Sequence, residues 1–194
     1  MGYHSLGRPA SRFRFRPGLR CKERGAVSQL IDFYRGTGTD TEGRRLDDIL
    51  TWDDDSLEAV HDFIQWLFPL PEPSRFNPDA PLLTPEDIAA FRQDPALRAN
   101  LRRSFERVLP FLGLMEGAGG EVVEGPNFGR RAADVWDYPN HNWLRITRVL
   151  RSLHLLGLQA EAQALYRRLK AFRDARRFPI GDDTFRYWTA AVRE

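Results

Sequence analysis

Residues 61–69 read HDFIQWLFP. Five of the nine side chains, Phe63, Ile64, Trp66, Leu67 and Phe68, are large and apolar, and Pro69 closes the run. Traced back to Leu57 at about 100° per residue, the apolar positions fill an arc of roughly 200°, leaving Glu58, His61, Asp62 and Gln65 a narrow polar stripe. The spacing predicts one helix from Asp53 to Phe68. Asp53, Asp54 and Asp55 supply a cap and complement the positive helix end, and Pro69, Pro71 and Pro73 forbid continuation. A helix that is apolar over so much of its circumference must lie inside a bundle. That requirement sets the fold class.

The flanking sequence agrees. Residues 70–83, LPEPSRFNPDAPLL, are proline-punctuated and contain Phe76, Leu82 and Leu83, so they are expected to wrap over the helices. Thr84-Pro85-Glu86-Asp87 starts a short helix over 85–92, with Thr84 as cap and Pro85 in the first turn. A longer helix over 95–115 carries Leu97, Leu101, Phe105, Val108, Leu109 and Leu112, and Pro110 should kink or end it. Residues 116–139 read as a long loop, with a brief strand or hairpin at EVVEG. Further helices are expected over 26–35, 46–52, 140–156, 159–176 and 182–192, the last capped by Asp182 or Asp183. Trp143, Ile146, Leu150, Leu153 and His154 share one arc of the 140–156 helix, and Arg148 and Arg151 face largely away from it. His154 is expected at the core edge with its polar tip satisfied. The reading is an all-α, irregular single-domain bundle of six or seven helices over residues 26–194, preceded by a basic arm over 1–25 and interrupted by one long loop. No repeat of fixed period is present.

The 194 residues are 42% hydrophobic, enough for one domain with a real core. The single Cys21 has no disulfide partner, and no Cys/His cluster offers a zinc site, so a reducing, cytoplasmic setting is expected and neither metal nor cofactor is assigned. No run approaches the ~20 apolar residues of a membrane span, and the arginine-rich start lacks the apolar stretch of a secretory signal. Net charge is +2 but uneven: +6 over residues 1–35, −9 over 36–100 and +5 over 101–194. Pairing of these blocks within the fold is the favoured explanation. The arm alternates arginine with phenylalanine at Arg12, Phe13, Arg14, Phe15 and Arg16. With Arg151 and the later arginine-rich helices it offers phosphate contacts and stacking rings, so nucleic-acid binding is an alternative.

Three runs taken together, FYRG at 33–36, LEAVHDFIQWLFPLPEPSRFNPDAPLLTPEDIAAF at 57–91 and HNWLRITRVLRSLHLLGL at 141–158, resemble the conserved region of the opioid growth factor receptor family over roughly residues 28–175. The resemblance implies a helical binding domain. The vertebrate receptor is described as a binder of an enkephalin peptide that is nuclear or perinuclear-membrane associated, restrains proliferation and bears a long repeat-containing tail. This chain resembles a short, stand-alone bacterial member without that tail. It departs from the family where a paired-Trp, Gly-Asp-Tyr stretch is usual and only Trp52 stands here.

Glu58, His61 and Gln65 follow one another at helical steps and form one stripe. His141, Asn142, Arg145 and Arg148 open the other helix of the resemblance, and Asn77 sits in the wrapping segment. If the two helices pack together, these groups can line a cleft, with arginine holding an anion and amides fixing orientation. The expected role is therefore a binding module for a peptide, protein or anionic ligand. The same groups could instead fix the irregular segments, with Glu58 pairing with His61, Arg145 bridging to Asp62, and Gln65 and Asn77 satisfying backbone. No catalytic residue is assigned, because Cys21 lies in the arm and no serine sits on a nucleophile elbow. An uncharacterised enzyme is the second alternative.

Overall fold

The computed structural model describes residues 28–75 and 77–193. Among them are ten helices and one two-stranded hairpin, so the chain is the irregular all-α domain its periodicity calls for. The helices exceed the six or seven of the overall reading: of the eight stretches whose spacing reads as helical, one is broken in two, and the expected long loop holds a further helix. Val27, Phe76 and the arm with Cys21, Arg12, Arg14 and Arg16 lie outside the described residues.

Two long helices organise the core. Helix α6 (Pro95–Phe111) buries Leu97, Leu101, Phe105, Val108 and Leu109. It receives α1 (Gln29–Tyr34), α2 (Leu46–Leu50), α3 (Asp54–Ala59) and α5 (Pro85–Gln93). Helix α8 (His141–Leu155) buries Trp143, Ile146, Val149, Leu150 and Leu153, and packs against α9 (Gln159–Asp174) and α10 (Asp182–Ala191). Trp143 and Trp188 meet edge to face with centroids 5.9 Å apart, and Arg92 Nε donates to Leu155 O at 2.9 Å to tie α5 to the end of α8. These layers share one continuous core.

Local signals set most boundaries. Thr84 and Asp87 form the reciprocal capping box that TPED announces. Asp94 ends α5 and caps α6 through Ala96 N–H at 2.9 Å. Pro110 sits in the last turn of α6, which ends one residue later, and Gly113 at φ +75° turns the chain into the hairpin. Strand β1 (Leu114–Glu116) pairs antiparallel with β2 (Val122–Glu124). The rest of the expected loop contains α7 (Phe128–Val135), whose buried Phe128, Arg131 and Val135 pack on the core. At α10 the expected aspartate caps give way to Gly181, and Asp182 and Asp183 occupy the first turn, where they complement the helix dipole.

The largest departure is at the stretch that set the fold class. The helix expected over 53–68 is two helices, α3 and α4 (Ile64–Leu67), separated at Val60, whose φ of −95° and ψ of 135° are extended. The break re-aims the chain: α3 packs on α6, while Trp66 of α4 lies 5.2 Å from Phe33 of α1. Tertiary packing overrides a locally consistent helical pattern. Gln65, expected on the outer stripe, is consequently 4% exposed.

Among the described residues, the middle and last charge blocks pair with each other. Acids of the middle block meet Arg107, Arg130, Arg131 and Arg151 of the last one.

Candidate functional site

In a continuous helix, Leu57 O and Val60 O would accept from backbone N–H groups four residues on. The break leaves both carbonyls without those donors, and Arg145, on the first turns of α8, replaces them. Its Nη1 donates to Leu57 O at 2.8 Å and to Asn142 Oδ1 at 3.2 Å, and its Nη2 donates to Val60 O at 2.8 Å and meets His61 Nδ1 at 3.1 Å. The guanidinium lies over Phe63 and Phe111. Burial pushes its pKa down to about 10, against the pull of Glu58. Arg145 therefore does not bridge to Asp62, which pairs with Arg44 at 2.8 Å.

Glu58 is the acidic hub beside this break. Its carboxylate takes His141 Nε2 at 2.9 Å, Arg131 Nη2 at 3.1 Å and Asn142 Nδ2 at 3.2 Å. Its imidazole partner is thus His141 and not His61. The two imidazoles still meet edge to face, with centroids 5.0 Å apart. Burial first, then the Arg145 charge, holds the His141 pKa below its ordinary value in spite of Glu58. Arg131, 2% exposed, also donates to Phe111 O and pairs with Asp134.

Above this network lies a groove of about 710 Å³ between α4 with its following segment on one side and α8 with α10 on the other. His61, Ile64, Gln65, Leu70, Pro73, Ser74 and Arg75 line the first wall. His141, Leu144, Arg145, Thr147, Arg148 and Tyr187 line the second. Five of the eight expected site residues are thereby brought to one groove: His61, Gln65, His141, Arg145 and Arg148. Glu58 and Asn142 form the network beneath it. Asn77 stands apart, donating through Nδ2 to Asp62 O at 2.9 Å and so pinning the wrapping segment to the break.

Arg148, expected to face largely away, turns inward, with Nη1 donating to Phe68 O at 3.1 Å, and burial pushes its pKa down to about 10. Gln65 Nε2 donates to Ser74 Oγ at 3.2 Å, while its buried Oε1 has no partner among the described residues. His154, half-buried at the core edge, has its buried Nδ1 likewise without a partner among them. Sequence reasoning missed Leu70, Arg75, Leu144 and Tyr187. Leu144 carried a signal: it is apolar, yet it shares the stripe of Arg148 and Arg151 at steps of four and three. Tyr187 gave none, because the approach of α10 to α8 is tertiary.

A second depression, about 500 Å³ near Asp53–Asp55, holds Arg107 and Arg130, but both are already paired with Asp54 at 3.1 Å. Several of the arginines proposed for nucleic acid are similarly engaged. Arg151 pairs with Glu72 at 2.6 Å, Arg173 with Asp182 at 2.7 Å, and Arg177 with Glu124. Among the described residues no cluster of His, Cys, Asp and Glu could hold a metal, and no helix is long and apolar enough to cross a membrane.

Fold and site together define a helical domain whose break is held by buried arginines under a basic, partly apolar groove. The chain belongs to the opioid growth factor receptor family: the model of that family's conserved region matches residues 24–194. It is 43% identical over 122 residues to the opioid growth factor receptor of Rattus norvegicus and 40% identical over 119 residues to that of Homo sapiens. These alignments cover 60% and 59% of this chain but 21% and 17% of those proteins. Opioid growth factor receptor-like protein 1 of Xenopus tropicalis is 34% identical over 122 residues, covering 61% of this chain and 23% of that protein. The chain thus spans about a fifth of the length of these relatives. No solved structure matches.

Proposed function

We propose that the domain is a binding module that takes a peptide or protein segment, or another anionic ligand, in the groove between α4 and α8. One observation carries this reading. The groove lining includes Arg75, Arg145 and Arg148 and no carboxylate, and it presents Leu144 and Tyr187, each 59% exposed. Large exposed apolar side chains beside undercompensated cations suit a ligand that is apolar in one part and negative in another. The relatives are named receptors, which supports a binding role for the region they share.

The test uses a pool of fluorescein-labelled peptides, randomised at every position, titrated against the full chain and read by anisotropy. Leu144→Asp alters an exposed side chain, so it should leave thermal stability within about 0.5 kcal/mol of the parent. It should also abolish peptide binding. A Leu144→Asp variant that binds as the parent does would place the ligand elsewhere.

A further inference from the structure

We propose that the break between α3 and α4 is a proton-operated latch: neutral His61 closes it by accepting a hydrogen bond from Arg145, and protonation of His61 breaks that contact and loosens residues 60–63 on α8 while the rest of the domain stays folded.

The two terminal nitrogens of an arginine carry four protons, and those of Arg145 meet four acceptors. Nη1 serves Leu57 O at 2.8 Å and Asn142 Oδ1 at 3.2 Å, and Nη2 serves Val60 O at 2.8 Å and His61 Nδ1 at 3.1 Å. Three of these acceptors are amide oxygens, which do not titrate. The fourth is an imidazole nitrogen. Arginine is a donor only, so His61 Nδ1 must hold a lone pair, and the ring is the neutral Nε2–H tautomer. Imidazole is the side chain whose charge changes between about pH 5 and 8. Once Nδ1 takes a proton, N–H faces N–H and two cations meet across the same 3.1 Å.

Arg145 is 7% exposed and keeps three other acceptors, whereas His61 is exposed and sits on a non-helical stretch, so it is the imidazolium that turns out to water. Its surroundings do not hold it back. Glu58 of α3 already takes His141, Arg131 of α7 and Asn142. Asp62, next in sequence, is taken by Arg44 at 2.8 Å. From α8 the ring meets Arg145 and His141, the latter edge to face with centroids 5.0 Å apart, while Arg75, Arg148 and the phenol of Tyr187 on α10 line the same cavity. A proton on His61 thus adds a cation where cations already exceed unpaired acids. Val60, just before it, is extended where the helical ladder is interrupted. The segment joins α3, packed on α6, to α4, whose Trp66 meets Phe33 of α1. With the latch closed, α8 fixes the turn between those helices through both Val60 and His61; with it open, Nη2 holds Val60 O alone.

The experiment follows the isotope-labelled full chain by magnetic resonance at about pH 7.5 and about pH 5, which bracket most of the histidine range. At the upper pH the His61 ring should show the Nε2–H tautomer, and the two Nη2 protons of Arg145, each with its own acceptor, should give separate resonances. At the lower pH those two resonances should merge or be lost, and the amide resonances of 60–63 should shift with them while the remaining spectrum stays dispersed. His61→Asn puts an oxygen that does not titrate in the place of Nδ1. It should keep the two resonances separate at both pH values. An Nδ1–H tautomer of His61 at the upper pH, or Arg145 resonances unchanged in acid, overturns the proposal. Loss of those resonances in acid by His61→Asn, as in the parent, also overturns it and assigns the proton to His141. Collapse of the whole spectrum at the lower pH overturns it too, because the domain then opens as a unit. Tautomer and Arg145 resonances are read on the unmodified chain, so the test stands even if His61→Asn does not fold.

Discussion

Arg145→Met tests how the break in the 53–68 segment is held. The variant keeps a long side chain of similar reach but removes the donors to Leu57 O and Val60 O, both at 2.8 Å, from a residue only 7% exposed. Each buried carbonyl left without a donor costs about 1–3 kcal/mol. The loss is partly offset, because the guanidinium no longer has to be buried, a penalty visible in its pKa of about 10. The expected net destabilisation is about 2–4 kcal/mol, a large share of the ordinary stability of a domain. Urea unfolding followed by fluorescence of the five tryptophans would show a lower midpoint with an unchanged slope. Amide exchange should accelerate first at residues 60–63. A midpoint shift equivalent to less than about 0.5 kcal/mol would refute the claim that Arg145 holds the break.

Three other outcomes follow from the same structure. His141 has a folded-state pKa below its ordinary 6.5, so on acidification the unfolded chain takes up that proton first. The contribution of this site is therefore fully present above about pH 6.5 and is lost as pH falls through the lower folded value. His141→Gln should flatten the stability profile in that window, as read by chemical denaturation at stepped pH. Gly113→Ala should lower stability by about 1–3 kcal/mol, because φ is +75° and the new Cβ would lie 3.0 Å from Phe128 Cα and 3.1 Å from Arg131 Cβ. Thr84→Ala should cost about 1 kcal/mol in thermal or urea unfolding through loss of its bond from Asp87 N–H at 3.1 Å.

The fold was legible where local physical chemistry decides it. The cap at Thr84, the stop at Pro69 and the apolar rows of α6 and α8 all act within a few residues, and each element formed where its signal lay. The break at Val60 was not legible, because no glycine or proline marks it; its cause is Arg145, 85 positions away in sequence. The same distance explains the candidate site. Helical steps placed Glu58, His61 and Gln65 on one stripe. Only the fold moved Gln65 into the core, gave Glu58 to His141 and Arg131, and left His61 at the groove. Arg148 lay on the outer face by periodicity, yet the carbonyl of Phe68, freed where α4 ends, draws it inward. Helix ends and breaks expose backbone carbonyls, and arginines from distant segments collect there.

The most direct test of the groove reading is a two-dimensional amide spectrum of the isotope-labelled chain titrated with the randomised peptide pool. Shifts should concentrate at His61, Gln65, Leu70, Leu144, Arg148 and Tyr187 and saturate with one apparent affinity. Shifts centred instead on Asp53–Asp55 and Arg107, or no shifts at saturating peptide, would contradict it.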